Sequence, residues 1–511
     1  MKILTGTQHA ELDRYTIENE PIESIDRMER ASEALADEII SRWDNKRTVF
    51  VFAGAGNNGG DGRAGARLLV DEGYRVVVYL FNVKGTLSVD CEINRDRLID
   101  MMEADESVCK RLVLKEISQG FAFPRVRPQD IVVDALFGTG LRSSLSGGFA
   151  VVARKINATK AHVVSIDVPS GLMCEDNAFI DRNVVVHAEL TLTIGLPKLA
   201  FLLPENEQCT GEWKVLDIGL SEEWIEQAST PYSILEKNEI RELLHQRSAF
   251  AHKGTMGHAL LVAGSYGMAG ASILASKACL RSGIGKLSLH TCAANNAILQ
   301  TSVPETIILP DKNSRHISEA VDMQRYQAVG IGPGIGQDEL TEQTVKQYVA
   351  MASEPLVIDA DALNILGNHR DWISHIPTGS ILTPHVKELE GIVGSCSNSF
   401  ERLGKAVDLA TQCHIYVIVK GHYTAICTPH GKVRFCPLGN PGMATPGSGD
   451  VLTGILTGLL AQGYTPGEAS MIGVWLHAAA GDAAAEELTE ECMLAGDIIS
   501  HMPHAYRQLK Q

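Results

Sequence analysis

The stretch that decides the fold of this chain is Gly439-Asn440-Pro441-Gly442-Met443-Ala444-Thr445-Pro446-Gly447-Ser448-Gly449-Asp450, which runs straight into the apolar segment 451–460. Apolar residues recur at helical spacing in that segment, so the sequence predicts a glycine-rich loop that opens directly onto a helix. Free backbone N–H groups at a helix start attract anions, and glycine lets a ligand approach the backbone closely. The stretch therefore predicts a phosphate cradle.

Asp450 stands at the lip of this predicted cradle. A carboxylate repels a phosphate at rest, so one interpretation makes Asp450 a base that takes a proton from a hydroxyl attacking that phosphate. The other interpretation is an ordinary helix N-cap, which Asp often provides. The loop alone leaves both interpretations open.

The composition bounds the class of protein. The 511 residues are 45% hydrophobic and 21% charged, which is typical of globular chains and long enough for two α/β domains. A net charge of −17 argues against nucleic-acid or membrane partners. The eleven cysteines contain no C-x-x-C pair, which favours reduced thiols and argues against structural zinc. With no apolar leader and no 18-residue apolar run, we expect a cytoplasmic protein.

The first half of the chain begins with a region, residues 9–43, that predicts two helices broken at Pro21. A buried-strand pattern at 48–53 follows, then the glycine-rich loop 54–62 and a further helix. Two asparagines in this loop depart from the dinucleotide fingerprint G-x-G-x-x-G, so a plain NAD-dehydrogenase interpretation is weak. Strand, loop and helix nevertheless predict a second anion-binding turn.

Two more strand patterns in this half end in acidic residues. Asp134 closes the strand at 131–134, and Asp167 follows the strand at 162–166, just before Ser170. The carboxyl ends of parallel strands gather at one edge of a sheet, where Asn58, Asp134 and Ser170 could offer oxygen ligands to a hard cation. Asp167 is then a candidate for proton transfer. Acidic residues at strand ends are also common turn formers, so this second interpretation stays open.

In the second half, five apolar strand patterns end in Gly, Asp, His or Lys, with helices between them. They predict a doubly wound α/β sheet with its ligands at the strand ends. Lys420 either contacts a phosphate there or is a solvated lysine, and His385 is either a ligand contact or a satisfied turn histidine. Residues 221–250 read as a connecting segment with a short helix around 237–245.

Segments 54–62, 131–141 and 162–171 together resemble the N-terminal epimerase domain of the NAD(P)H-hydrate repair proteins, and the likeness covers roughly residues 1–220. The resemblance implies that Asn58, Asp134 and Ser170 hold a potassium ion. It implies that Asp167 and two loops bind the hydrated nicotinamide nucleotide. The loop residues are Asn57, Asn58, Gly59, Gly60, Asp61, Gly138, Thr139, Gly140, Leu141, Arg142, Ser143 and Ser144.

Residues from about 250 to 505, from His252-Lys253-Gly254 through the cradle, are similar to the ribokinase-like dehydratase of the same family. The resemblance implies ADP with Mg²⁺ as the phosphoryl donor. It implies that the hydrate is contacted by Ala271, Gly334, His385 and Asp450. The nucleotide contacts that it implies are Lys420, Gly421, His422, Tyr423, Thr424 and Gly449.

The sequence therefore predicts two α/β domains: a Rossmann-like three-layer epimerase domain at 1–220, a linker at 221–250 and a doubly wound, ribokinase-like dehydratase domain at 251–511. The first would interconvert R and S NAD(P)HX, with Asp167 as a catalytic group. The second would use ADP to dehydrate the S form, with Asp450 as the base, releasing AMP and phosphate. The alternative is a ribokinase-like small-molecule kinase fused to a non-catalytic nucleotide-binding domain. We expect a homo-oligomer whose partners are NADHX, NADPHX and ADP.

Overall fold

The computed structural model describes residues 1–19 and 22–511 and divides into two compact units. The first unit is Lys2–Thr230, and the second is Pro231–Gln511 with Met1. The division falls inside the predicted linker 221–250. The predicted helix break at Pro21 lies outside the described residues, and helices end at Asn19 and begin at Ser24 on either side of it.

The first unit contains a sheet of seven strands in the order β3-β2-β1-β4-β5-β6-β7, with every neighbouring pair parallel. The strands are β1 Thr48–Ala53, β2 Arg75–Phe81, β3 Leu112–Ile117, β4 Ile131–Ala135, β5 His162–Ile166, β6 Leu190–Ile194 and β7 Glu212–Leu216. The helices are α1 Gly6–Asn19, α2 Ser24–Arg42, α3 Asn57–Asp71, α4 Val89–Ala104, α5 Gly147–Asn157, α6 Glu207–Thr210 and α7 Glu222–Gln227.

Side chains on both faces of this sheet are buried, as expected for parallel strands covered by helices. Val49 and Val51 of β1 pack in one core cluster with residues of α2, α3 and α4. Phe50 and Phe52 of the same strand pack in another cluster with residues of α5. Helix, sheet and helix therefore form the three layers that the sequence predicts.

The second unit contains a ten-stranded sheet in the order β11-β10-β9-β12-β13-β14-β15-β16-β17-β8. Its strands are β8 Tyr232–Ile234, β9 His258–Val262, β10 Lys286–Thr291, β11 Ile307–Pro310, β12 Ala328–Ile331, β13 Leu356–Ile358, β14 Ile381–Leu382, β15 Tyr416–Val419, β16 Ala425–Cys427 and β17 Val433–Phe435. Its helices are α8 Lys237–Leu243, α9 Ala269–Arg281, α10 Asn296–Ser302, α11 Glu339–Met351, α12 Asp361–Asn368, α13 Val386–Val393, α14 Ser399–Cys413, α15 Ser448–Ala461, α16 Pro466–Leu488 and α17 Ala495–Lys510.

The strands from β11 to β15 are parallel, and they include all five that the sequence predicts. β16 and β17 continue the sheet antiparallel, and β8 pairs with β17 although it lies within the predicted linker. The predicted doubly wound α/β fold is thus confirmed, with an edge that the sequence pattern does not reveal.

Helix α15 is buried along most of its length, since every residue from Val451 to Ala461 is buried. It packs tightly on α9 because glycine removes the side chain at the contact: a methyl group on Gly454 would lie 2.1 Å from the carbonyl oxygen of Ala275. A helix that is apolar all round belongs in a core. Within the described ranges, none of the helices combines the length and apolar character that crossing a bilayer requires.

This contact gives a matched pair of variants. We expect Gly454→Ala to lower the free energy of unfolding by about 1–3 kcal/mol, because the added methyl group meets backbone that cannot step aside. Gly404→Ala in α14, where a methyl group meets open space, should raise it by about 0.5–1 kcal/mol. Urea unfolding curves of the two variants measure both changes. Shifts in the same direction would contradict the packing of α15 on α9.

Candidate active sites

The first unit holds a cavity of about 590 Å³ at the carboxyl ends of β1, β4 and β5. Both predicted substrate loops reach it, since Asn57, Asn58 and Asp61 line it together with residues 138–141 and Asp167. Seven of the predicted site residues are not among those that line the cavity. They are the loop residues Gly59, Gly60, Arg142, Ser143 and Ser144 and the predicted ligands Asp134 and Ser170.

The loop predicted at 54–62 is shorter than expected, because α3 already begins at Asn57. The two glycines that follow make this early start sterically possible. A methyl group on Gly59 would lie 2.0 Å from the carbonyl oxygen of Gly54, and one on Gly60 would lie 2.7 Å from the sulfur of Met28. Gly59 and Gly60 therefore serve close packing, which brings the first turn of α3 to the end of β1.

Asp167 is paired with Lys198, whose side chain is 0% exposed. The Lys198 ammonium donates to Asp167 Oδ1 at 2.7 Å and to Thr193 Oγ1 at 2.7 Å. Burial acts to raise the pKa of Asp167, but the charges of Lys198 and His9 and the hydrogen bonds it accepts bring that pKa below its ordinary value. Asp167 also has a φ of +63°, a left-handed conformation that is rare outside glycine. An ionised carboxylate is thus held in a strained place beside the cavity.

The neighbouring titratable groups in this cavity are biased toward their neutral forms. Burial raises the pKa of Asp61 well above its ordinary value, and burial also raises that of Asp13 despite the Arg27 charge. Burial and the Lys198 charge lower the pKa of His9 to about 3, and its buried Nε2 has no hydrogen-bond partner among the described residues. Carboxyls whose pKa values are pushed apart are the usual basis for acid and base roles.

The three predicted cation ligands lie close to this cavity. Both amide atoms of Asn58 are buried with no hydrogen-bond partner among the described residues. Burial raises the pKa of Asp134, and its Oδ2 accepts from Ser165 Oγ at 2.9 Å and from the Ser170 N–H at 2.8 Å. Ser170 Oγ in turn accepts the Phe137 N–H at 2.9 Å. An orphaned amide oxygen and a buried carboxylate are a donor set that suits a hard cation.

Arg142 and Ser144 have hydrogen-bond partners within the protein. Arg142 donates to the carbonyl oxygen of Thr139 at 2.9 Å, and Ser144 Oγ accepts the Asp181 N–H at 3.2 Å. Arg142 and Ser143 are exposed, so a substrate that extends out of the cavity could still reach them. Their predicted role in substrate binding stays a prediction.

In the second unit, the predicted cradle ends where α15 begins at Ser448. Gly447 fills the N-cap position with a φ of +94°, so Asp450 is not the cap but the third residue of the helix. Two contacts hold the loop: Asp482 accepts from the Gly439 N–H and the Asn440 amide, and Ser448 lies 3.2 Å from His477 Nε2. The cap interpretation of Asp450 is therefore wrong, because Gly447 holds the cap position, whose left-handed backbone glycine adopts most readily.

The Asp450 carboxyl makes no hydrogen bond or ion pair within the part of the chain that the structure describes. Burial, then the negative charge of Asp359, raises its pKa to about 7, with smaller contributions from Asp361 and Glu388. The charge of Lys420 acts in the opposite direction. A carboxyl that titrates near neutral pH has the property that a general base requires.

Lys420 is held beneath this helix start by two acids. Its ammonium lies 2.8 Å from Asp359 Oδ1 and 3.7 Å from Glu388 Oε2, and Thr453 donates to the other Asp359 oxygen at 2.6 Å. A methyl group on Gly449 would lie 3.2 Å from the Lys420 ammonium, so glycine there keeps the lysine close to the cradle. The predicted nucleotide contacts Lys420 and Gly449 are therefore neighbours.

The acids of this site outnumber the lysine, because Asp359, Asp361, Glu388 and Asp450 surround the single ammonium group. In the described part of the chain, no three His, Cys, Asp or Glu side chains converge closely enough to hold a metal. Mg²⁺ commonly keeps several waters and binds through one or two carboxylates plus substrate phosphates. The site fits a magnesium ion that binds together with a nucleotide, rather than one that protein side chains coordinate alone.

The other predicted hydrate contacts are two small residues that adjoin each other, Ala271 and Gly334, and a histidine that caps a helix, His385. A methyl group on Gly334 would lie 2.9 Å from Cβ of Ala271, so these two small residues adjoin each other. His385 is the N-cap of α13: its Nδ1 accepts the Glu388 N–H at 3.1 Å, and the Glu388 carboxylate accepts the His385 N–H at 2.8 Å. The capping role agrees with the turn-histidine interpretation. The side chain is still 53% exposed, and its Nε2 lies 3.5 Å from Glu388 Oε1.

The rest of the predicted nucleotide segment forms the loop between β15 and β16. Thr424 Oγ1 donates to the Gly421 carbonyl at 2.9 Å, and the rings of His422 and Tyr423 lie 4.3 Å apart. Gly421 and His422 are exposed. The loop thus presents a surface beside Lys420, and its nucleotide contacts stay a prediction.

Sequence reasoning missed several residues that shape both sites. Asp359 and Asp361 directly follow β13, so the strand-end rule that found Asp134 could have found them. Lys198 carries no such signal, because it follows a turn after β6 and only the fold buries it against Asp167. His9 is likewise invisible to pattern, since it lies on α1, far from the strand ends in sequence.

The raised pKa of Asp450 makes a prediction about stability. Because that pKa is about 7 in the folded state and 3.8 in the ordinary state, the folded protein keeps a proton that the unfolded chain releases. Its free energy of unfolding therefore falls as pH rises from about 4 to about 7 and is level above that range. Asp450→Asn has no carboxyl to titrate at this position, so it does not lose stability in this way. Its melting temperature minus that of the native protein should therefore increase as pH rises from about 4 to about 7.

Melting curves at pH 5, 6, 7 and 8 measure this difference, with Asp408→Asn, an exposed position on α14, as the control. The control should follow the native protein at every pH. A difference between native protein and Asp450→Asn that does not change with pH would rule out a buried ionisable carboxyl at that position.

Comparison with known proteins adds two family models. One, described as NAD(P)H-hydrate dehydratase, matches residues 259–504, and one described as YjeF-related protein N-terminus matches residues 24–200. A solved ADP/ATP-dependent NAD(P)H-hydrate dehydratase from Bacillus subtilis, co-crystallised with ATP and Mg²⁺, is 31% identical, with a TM-score of 0.49 over 54% of this chain and 98% of its own.

Full-length relatives match both units at once. The bifunctional NAD(P)H-hydrate repair enzyme Nnr of Moorella thermoacetica is 33% identical over 100% of this chain and 98% of its own length. The enzyme of that name from Escherichia coli K12 is 30% identical over 93% of this chain and 88% of its own length. The resemblance inferred from the motifs is thereby confirmed. The chain belongs to the family of bifunctional NAD(P)H-hydrate repair enzymes.

Proposed function

We propose that this protein repairs hydrated NADH and NADPH in two steps. The first domain interconverts the R and S epimers of NAD(P)HX, and the second dehydrates the S epimer with ADP, releasing AMP and phosphate. The observation that carries the proposal is the 33% identity to a bifunctional repair enzyme along the whole chain, which includes both acid-lined sites. Together the two activities clear both epimers.

In the first site, inverting the hydroxyl-bearing carbon requires a bond to that carbon to open and close, with one proton removed and one returned. Asp167 is the base, because Lys198 keeps it ionised. Asp61 supplies the proton, because burial keeps its carboxyl protonated. The small residues Gly138 and Gly140 leave room for the nucleotide, and a methyl group on Gly138 would lie 3.1 Å from Asp167 Oδ2.

Asn58, Asp134 and Ser170 fit a potassium ion. The unpartnered Asn58 amide can turn its oxygen toward a cation, and a cation would relieve the cost of burying the Asp134 carboxylate. If bound by these three residues, the ion would supply a fixed positive charge close to the cavity. The Asn58 amide lies beside Gly138, where an added methyl group would come within 3.2 Å of Asn58 Cγ. Asp167 remains the group that moves the proton.

In the second site, Asp450 takes the proton of the ring hydroxyl, whose oxygen attacks the terminal phosphorus of ADP. The bond between this phosphorus and the oxygen that bridges the two phosphates breaks, and AMP leaves with that oxygen. The carbon–oxygen bond of the phosphorylated ring then breaks, phosphate leaves, and the adjacent carbon loses a proton to restore the ring double bond. Backbone N–H groups at the start of α15 stabilise the charge on the transferring group.

Lys420 and the acids around it hold the nucleotide in this scheme. The ammonium group faces the cradle through Gly449 and offers a point charge to a phosphate. Mg²⁺, held by Asp359, Asp361 or Glu388 together with the phosphates, neutralises charge on ADP when it is bound. Ala271 and Gly334, two small residues that adjoin each other, leave room for the ring. The homo-oligomeric state and the cytoplasmic location that we expect stay predictions.

A paired measurement tests the assignment of the two sites. Asp450→Asn keeps the size of the side chain but removes the base, so ADP-dependent dehydration should fall by ~10² to 10⁴. Epimer exchange, measured on the same preparation by separating the R and S forms, should be unchanged. Asp408→Asn, the exposed control, should keep both activities.

If Asp450→Asn dehydrated the substrate at the rate of the native protein, Asp450 would not be the base. Loss of both activities in a variant with a native melting curve would sink the claim of two independent sites. Phosphate retained on the product would instead identify the second domain as a kinase.

The cation proposal has its own test. Because Asn58, Asp134 and Ser170 offer neutral and anionic oxygens, we expect epimer exchange to depend on potassium and to slow when lithium replaces it. Dehydration by the second domain, measured from the S epimer in the same buffers, is the internal control. Equal epimer exchange in both salts would count against a cation at this place.

A further inference from the structure

The second unit contains another cavity, of about 1050 Å³, that the dehydration scheme does not use. It lies at the amino-terminal edge of the parallel strands. The segment 244–256 before β9 and the turn Ser282-Gly283 before β10 line it, and so does Gln462, which follows α15. Asp450 is at the other end of α15, a helix of 14 residues and therefore ~21 Å long. This cavity is thus distinct from the cradle.

The cavity concentrates positive charge in a chain whose net charge is −17. Four cationic side chains line it, and among the described residues that line it there is no aspartate or glutamate. Arg241, Arg281 and Lys510 form no ion pair within the described ranges, and all three are exposed. Arg247, the fourth, donates to the carbonyl oxygen of Gly283.

Helix ends offer an ordinary explanation for such cations, because a helix C-terminus carries about −0.5 of a charge. The helices α8, α9, α15 and α17 all end beside this cavity, which amounts to about −2 in total. Four cations exceed this by about two charges. Moreover, neutral side chains already satisfy part of these carbonyls: Gln462 donates to Gly458 at 2.7 Å, and the Tyr506 hydroxyl donates to Ser282 at 3.0 Å.

The walls of the cavity are rigid enough to hold a ligand in place. The His245 and Tyr464 rings stack with centroids 4.0 Å apart and planes 10° apart, and the Tyr464 hydroxyl accepts the His245 N–H at 3.0 Å. Phe250, which also lines the cavity, is 91% exposed. Cations spaced around an open cavity with a firm floor suit a ligand that carries adjacent negative charges.

We propose that this cavity is a second anion site, which binds the diphosphate group of a small phosphorylated molecule. Arg281 and Lys510 face the phosphates from the ends of α9 and α17, and Arg241 faces them from the end of α8. Arg247 and Gln462 anchor the floor. A bound diphosphate supplies the two negative charges that the surrounding helices leave uncompensated.

Titration calorimetry of the full chain with inorganic pyrophosphate tests this site. Two variants are compared: Arg281→Gln/Lys510→Gln, which removes two cavity charges, and Lys237→Gln/Lys432→Gln, which removes two exposed charges elsewhere in the same unit. Each exposed ion pair contributes about 0.2–1 kcal/mol, so the cavity variant should bind pyrophosphate ~2- to 30-fold more weakly. The control variant should bind pyrophosphate with the same affinity as the native protein. Added salt should weaken pyrophosphate binding to the native protein and to the control variant.

The cradle at α15 is a second place where pyrophosphate could bind, so ADP-dependent dehydration is measured alongside. The cavity variant should keep that activity, because neither Arg281 nor Lys510 takes part in it. Equal pyrophosphate affinity in the native protein and the cavity variant would overturn the proposal. So would an equal loss in the cavity and control variants, or the absence of binding to the native protein at low salt.

Discussion

Each unit depends on one ion pair between a lysine and a buried aspartate that directly follows a parallel strand; Lys198 is fully buried, and the Lys420 side chain is 23% exposed. Lys198 lies 2.7 Å from Asp167 after β5, and Lys420 lies 2.8 Å from Asp359 after β13. A buried pair is costly to form, and removing one partner costs about 3–5 kcal/mol because the other charge is left alone. The pair therefore fixes which carboxylate at each sheet edge stays ionised.

The remaining carboxyls at each edge respond to that choice. With Asp167 ionised, burial raises the pKa of Asp61, and with Asp359 ionised, burial and that charge raise the pKa of Asp450 to about 7. The same arrangement thus gives one unit an ionised carboxylate whose neighbour is biased toward its protonated form, and gives the other unit a carboxyl that titrates near neutral pH. Because the groups differ only in their surroundings, two reactions can share one kind of scaffold.

Much of this could be predicted from the sequence. The apolar strands and glycine loops predict both sheets, and the rule that parallel strand ends meet at one edge finds Asp134 and Asp167. The three-residue strands β8, β16 and β17 escape prediction, because so short a run shows no periodicity. Lys198 escapes because only the tertiary fold brings it to Asp167. The loop sequence leaves Asp450 open as a cap or a base, and the structure removes only the cap alternative, because Gly447 occupies that position.

The central claim is that one chain carries both repair activities, and a single incubation tests it most directly. Purified protein is mixed with ADP and an equal mixture of R and S NADHX, and the absorbance of reduced nicotinamide is followed together with AMP and phosphate. The account predicts that both epimers are recovered as NADH, with one AMP and one phosphate released for each. The account would be contradicted if half of the hydrate were recovered quickly and the other half only at the rate of spontaneous epimer exchange.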